Sequence, residues 1–206
     1  MCNLYRMTKN ATEVAQLFDA VAEIGSNAGG EIYPGYSGIV IAGGKVETMT
    51  WGFPLQRKGA KGQPLKPKPV NNARTDKLSG PFWKSSFTER RCLIPLESFA
   101  EAQGKKGAMT RTWMTMPDAE VFTVAGIWRG SAEWGDCYSM VMTDASPQMS
   151  EVHNRMPVIL TADQRATWLD GSPDDAFELC RPFEGSLAID RTDVPWAGRP
   201  AQSSML

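Results

Sequence analysis

The chain has 206 residues, a formal net charge of −1, 42% hydrophobic and 22% charged residues. That composition buries a core and excludes a disordered tail; no run approaches the length of a membrane span, and the opening MCNLYRMTKNATE lacks the apolar stretch of a secretory signal. A single histidine, His153, and four cysteines with no CxxC pair exclude zinc sites built on several imidazoles, so no metal or cofactor is expected.

The elements follow in chain order. Asn10 to Ile24 reads as a helix, capped by Asn10 with Glu13 three residues on and with Val14, Leu17, Phe18 and Val21 on one face. Gly38 to Trp51 reads as a hairpin turning at Gly43-Gly44. Residues 57–70 read as a loop, with Lys-Pro-Lys-Pro favouring extended backbone. A short helix is predicted over Pro81 to Thr88. Four strand-like runs come next: Cys92–Ala102, Arg111–Met116, Val121–Trp128 and Cys137–Thr143. Pro157–Leu160 is a further short strand. Thr161 with Gln164 forms a capping box for a helix holding Trp168 and Leu169, and Ser172-Pro173 opens another helix through Phe177 and Leu179. The expected fold is α+β: one domain over residues 1–206, with mainly antiparallel strands forming a barrel-like sheet core and helices at the periphery. We expect a cytoplasmic monomer with reduced thiols.

Charge is unevenly spread. From Arg57 to Arg91 ten basic residues face two acids; from Asp163 to Asp193 eight acids face three arginines. Phosphate binding needs a local positive surface and not a positive total. The competing reading of the basic stretch is a solvated face.

Cys2 stands out. Removal of the initiator Met would leave an α-amine and a thiol on adjacent carbons, with reference pKa values of about 7.7–8.0 and 8.5. Such a pair attacks a carbonyl through sulfur, or condenses with an aldehyde through nitrogen and closes to a thiazolidine. His153, in EVHNRMPVIL, lies in a polar stretch after a strand end, where proton transfer near pH 7 suits an imidazole. In Asn71-Asn72-Ala73-Arg74 the amides can orient a reacting group and the arginine can hold phosphate. Glu97 and Glu101 are both acid candidates, and periodicity does not choose between them. Cys92, Cys137 and Cys180 read as small core residues.

These segments together resemble the SOS-response-associated peptidase (SRAP) family. The matching pieces include Met1-Cys2, Tyr33-Pro34-Gly35, Thr50-Trp51-Gly52-Phe53-Pro54, Asn72-Ala73-Arg74, Arg91-Cys92-Leu93-Ile94-Pro95, Phe99-Ala100-Glu101, Ala125-Gly126-Ile127-Trp128, Met142-Thr143-Asp144-Ala145 and the run from His153 to Leu160. The resemblance implies an abasic-site sensor acting on single-stranded DNA and linking covalently to it through Cys2. It implies Asn72, Glu101 and His153 around that cysteine, and Arg74, Arg155, Trp51 and Thr143 at the DNA. Trp51 is expected either to stack on a base or to be a core aromatic. The start Cys2-Asn3-Leu4 departs from the family's Cys-Gly-Arg. Two rival readings remain: a cysteine-type peptidase or N-terminal nucleophile hydrolase that removes its own Met1, with His153 as base and Asn72 as oxyanion donor, and a non-covalent single-stranded DNA binder.

Overall fold

The computed structural model describes residues 2–22 and 29–196. Along them run β1 (Tyr5–Met7), α1 (Ala11–Phe18), β2 (Val21–Ala22), β3 (Gly30–Ile32), β4 (Ser37–Ala42), β5 (Lys45–Trp51), β6 (Phe53–Lys58), β7 (Pro64–Val70), β8 (Asn72–Arg74), α2 (Lys84–Glu89), β9 (Arg91–Leu96), β10 (Ser98–Gln103), β11 (Thr110–Thr115), β12 (Phe122–Ser131), β13 (Gly135–Asp144), β14 (Arg155–Pro157), β15 (Ile159–Leu160), α3 (Arg165–Asp170), α4 (Pro173–Glu178) and β16 (Ala188–Pro195).

Strands β13, β12, β9, β4 and β5 are bonded in that order, and β5 returns to β13 through a parallel pairing of Thr50 with Cys137 and Trp51 with Tyr138. The ring is therefore a closed barrel, as expected from the run of short strands, and closure removes its edges. Every residue of β9 is buried, because one side faces the barrel interior and the other is covered by α2 and α3. Its one charge, Arg91, is satisfied by main-chain carbonyls at the ends of those helices: Phe87, 3.0 Å away, with Trp168 and Gly171. A buried cation at helix C-termini is favourably placed for the backbone dipoles. Inside the barrel the Tyr5 and Tyr138 hydroxyls are hydrogen-bonded to each other. Both lie where a side chain at Gly38 would sit, so only glycine fits at that position of β4.

The second sheet has the order β16-β11-β10-β1-β3. The expected single run Cys92–Ala102 is two strands, because at Glu97 the chain leaves the barrel for this sheet. There the Glu97 N–H donates to Arg6 O at 2.9 Å, and its carboxylate accepts from Thr8 N and Oγ1 at 3.1 and 2.6 Å. Glu97 is thus a corner anchor.

Other expectations are corrected. The first helix forms with its capping box, Asn10 and Glu13 exchanging bonds of 2.8 and 3.0 Å, but ends at Phe18 and not at Ile24. Asp19 adopts a left-handed conformation (φ 49°) that stops it, and Val21–Ala22 then pairs alongside β5; Ile24 lies outside the described residues. The expected loop 57–70 is largely a two-stranded arm, β6 against β7. In a two-stranded ribbon both strands are edge strands, where prolines such as Pro64, Pro67 and Pro69 are tolerated. The expected strand Pro157–Leu160 is split at Val158, between β14 on β13 and β15 on β12.

Candidate active site at the start of the chain

Strand β1 lies between β10 and β3, with Tyr5 opposite Phe99 on one side and Ile32 on the other. The Ala100 N–H bonds Leu4 O at 2.9 Å, so the residues before β1 run alongside β10 towards Glu101. Leu4 packs in a small cluster with Ala100 and Trp113, which holds the chain start down.

Cys2 is fully buried, its Sγ 3.5 Å from Leu4 O. Its carbonyl is gripped by two side-chain amides: Asn71 Nδ2 at 2.9 Å and Asn72 Nδ2 at 2.7 Å. Asn71 also donates to Asn3 Oδ1 at 3.1 Å, so the asparagine at the departing position three joins the same network. The asparagines are aimed by their own backbone. Asn71 O accepts from Trp51 Nε1 at 3.1 Å and from Met140 N at 3.0 Å, and Asn72 lies opposite Met140 in the parallel β8–β13 pair. Asn72 Oδ1 is buried with no hydrogen-bond partner among the described residues, which is uncommon for a buried acceptor.

Glu101 on β10 is only 3% exposed. Burial pushes its carboxyl up to about 7, since desolvation disfavours the charged form. Burial also pushes the Cys2 thiol well up, and the Glu101 carboxylate adds to that shift. The Glu101 carboxylate thus acts on the Cys2 thiol. Of the two glutamates left open by the sequence, Glu101 is the one at the chain start.

His153 sits half-buried on the β13–β14 loop. Its Nδ1 lies 3.0 Å from the Arg155 N–H and 3.2 Å from Arg155 O, so the main chain of Arg155 holds the ring through that nitrogen and leaves Nε2 on the other side. Burial and, less strongly, the Arg155 charge lower its pKa. The loop is tied to the Glu101 strand by Gln103 Nε2, which donates to Glu151 O at 3.0 Å. Gln103 and Glu101, two apart on β10, share a face.

Arg74 and Arg155 reach β13 from two neighbouring strands, opposite Met142 and Asp144 respectively, and meet at Asp76. Thr143 lies between those two register partners on β13 and Trp51 is bonded to Asn71 O, but both side chains are turned into the core. Trp51 is fully buried, edge-on to Tyr5 and stacked with Tyr138 at 6.4 Å between centroids. Thr143 is 3% exposed and donates to Cys180 O at 3.2 Å. Of the two roles open to Trp51, the core one is observed; neither residue offers a surface to DNA here. Sequence reasoning gave no separate role to Asn71, Asp76 or Gln103. Adjacency to Asn72 was the one signal for Asn71, and the Arg74-x-Asp76 spacing the one for Asp76; its approach to Arg155 and the Gln103 bond to Glu151 join segments distant in the chain. A groove of about 390 Å³ opens between Asn3, Asn71 and Asn72 on one side and Pro34, Leu55 and Lys68 on the other. Among the described residues no group of acids, cysteines and histidine is arranged to hold a metal, and no helix is long and apolar enough to cross a membrane.

The barrel and its flanking sheet thus bring two side-chain amides onto the Cys2 carbonyl, with the buried Glu101 close enough for its carboxylate to raise the Cys2 thiol pKa. The chain belongs to the family described as SOS response associated peptidase (SRAP), whose model matches residues 1–194. Among curated relatives, the abasic site processing protein YoqW of Bacillus subtilis (strain 168) is 29% identical over 123 residues, 55% of this chain and 54% of that protein. The abasic site processing protein YoaM of the same organism is 29% identical over 124 residues. The matched segment thus spans about half the length of these relatives. Two solved structures share the fold: a protein from Bacteroides thetaiotaomicron (TM-score 0.77, 19% identity, 92% of this chain and 91% of that one) and one from Bordetella bronchiseptica (TM-score 0.77, 22% identity, 93% and 99%).

Proposed function

We propose that the chain is an abasic-site sensor that forms a covalent adduct with single-stranded DNA through Cys2 once Met1 has been removed. The observation that carries this reading is the double amide grip on the Cys2 carbonyl beside the buried Glu101. A residue held so tightly at a chain start is suited to chemistry with its own amine and thiol. The names of the curated relatives, abasic site processing proteins, agree with it.

The open form of an abasic deoxyribose presents an aldehyde at C1′. The Cys2 amine adds to it, and loss of one water leaves an imine. The thiol then adds to the same carbon, and its proton is taken up as the imine nitrogen becomes the ring amine of a thiazolidine. The net change is aldehyde plus aminothiol to thiazolidine plus water, with no redox step. The raised thiol pKa favours amine attack first, with sulfur closing second onto a more electrophilic imine. Glu101, titrating near 7, is matched to shuttling these protons, and such general acid–base help is typically worth about 10²–10⁴-fold. The His153 imidazolium is the candidate donor to the sugar ring oxygen during ring opening. Arg74 and Arg155 would neutralise flanking phosphates, and adduct formation should weaken as salt rises.

The rival self-cleaving peptidase needs oxyanion donors on the Met1 carbonyl. The amides of Asn71 and Asn72 lie on the Cys2 carbonyl, one residue downstream, and so do not support that role for them.

The test is a denaturing gel after incubation with a single-stranded oligonucleotide carrying one abasic site. The Met1-free chain is expected to give a shifted band, Cys2→Ala none, and an undamaged oligonucleotide none. Equal crosslinking by Cys2→Ala would overturn the assignment, and binding that is indifferent to the abasic site would favour the non-covalent reading.

A further inference from the structure

Arg74 and Arg155 do not present open guanidinium groups. Arg74 Nε and Nη2 grip the two carboxylate oxygens of Asp76 at 2.9 and 2.8 Å. Arg155 Nη1 lies 3.8 Å from Asp76 Oδ1 and Lys77 Nζ lies 4.0 Å from Oδ2. One carboxylate thus stands at the focus of three cations, and hydrogen bonding from Arg74 holds its pKa below the usual range. A fork of parallel N–H groups on two oxygens is also the geometry in which arginine holds a phosphate. Asp76 is half-exposed, and an exposed ion pair contributes little net stability, so a stronger anion can displace it.

We infer that Asp76 is a built-in competitor for the DNA phosphate, a specificity residue that keeps Arg74 and Arg155 from binding undamaged strands indiscriminately. The inference rests on the reading of those arginines as phosphate contacts. Any strand has to expel the carboxylate; only an abasic strand, which goes on to bond Cys2, compensates for that cost irreversibly enough to remain. The carboxylate therefore acts on discrimination more than on chemistry. Arg155 has a second acid, Asp144, 3.5 Å away, so Asp76 governs Arg74 chiefly.

The experiment compares wild type, Asp76→Asn and Asp118→Asn, the last an exposed acid of the β11–β12 turn that controls for net charge. Equilibrium binding is measured on an undamaged oligonucleotide and on one carrying a tetrahydrofuran abasic analogue, which has no aldehyde to react. Asp76→Asn is expected to bind the undamaged strand about 3–10-fold more tightly at low salt, with a steeper salt dependence, roughly one additional phosphate contact's worth (~0.7 in the log–log slope). The gain is expected to be largely lost in an Arg74→Ala background. Unchanged or weaker binding by Asp76→Asn would overturn the inference, because Asp76 would then be positioning Arg74. An equal gain in Asp118→Asn, or a gain that survives Arg74→Ala in full, would overturn it as well. Failure of the covalent reading is seen separately, as absence of adduct with natural abasic DNA while the binding comparison still stands; no binding to either strand would sink both.

Discussion

Trp51 donates its indole N–H to the main-chain carbonyl of Asn71, 3.1 Å away. One of the two tryptophans that are fully buried among the described residues thereby fixes the backbone of a residue whose amide holds Cys2. Gly52 makes this possible next door: its φ of 119° turns the chain out into the arm, and a Cβ there would meet Pro69 at 2.5 Å. Trp51→Phe keeps an aromatic ring but loses the donor and leaves a void. The expected result is a loss of about 1–3 kcal/mol in stability, read by denaturant unfolding, together with slower adduct formation. A variant that crosslinks at the wild-type rate would separate Trp51 from the site.

Asn71 and Asn72 converge on one carbonyl oxygen, so they should not act independently. Asn71→Ala and Asn72→Ala are each expected to slow adduct formation by about 10-fold or more, and the double variant to lose less than the product of the two. Single-turnover crosslinking rates provide the check. Strict multiplicativity would mean that the two amides serve different atoms during reaction.

Much of this arrangement can be read in the linear chain, and the limits have physical causes. The capping box of Asn10 with Glu13, the Gly43-Gly44 hairpin and the box of Thr161 with Gln164 are local, and local patterns carry them. Where the first helix ends is not legible, because the stop is a left-handed Asp19 in place of a glycine or proline. The prolines of the arm read as loop because proline weakens a strand signal unless both edges are known to be free. Candidate residues Cys2, Asn72 and Glu101 follow from motifs, but Trp51 reaches Asn71, and Arg155 reaches Asp76, only because β5, β8 and β14 all pair with β13.

Glu101 is costly to the fold in its ionised form. Its carboxyl titrates near 7 against an ordinary value of 4.5, so the stability it confers is full below about 4.5 and is lost as pH rises towards 7. Glu101→Gln is therefore expected to match wild type at pH 4 and to exceed it at pH 8 by on the order of 2–3 kcal/mol, while adduct formation falls sharply. Thermal unfolding across this range measures the effect. Equal stability at both pH values would mean that the carboxyl is not desolvated.

Adduct formation should follow a bell-shaped pH profile. Its acid limb reports Glu101, which must be ionised to accept a proton, and its alkaline limb reports His153, whose lowered pKa leaves little imidazolium above neutrality. The reactive combination is thus a minor form, most abundant between the two pKa values. His153→Gln is expected to flatten the alkaline limb, and Glu101→Gln the acid limb. Rates measured from pH 5 to 8.5 test this, and a profile unchanged in either variant would remove that residue from proton transfer.

The most direct measurement is the intact mass and site of the adduct formed with abasic single-stranded DNA. The expected species has the mass of the chain without Met1 plus the oligonucleotide less one water, with the modification mapped to Cys2 by peptide sequencing. An adduct on a lysine of the β6–β7 arm, or on a chain that still carries Met1, would contradict the account.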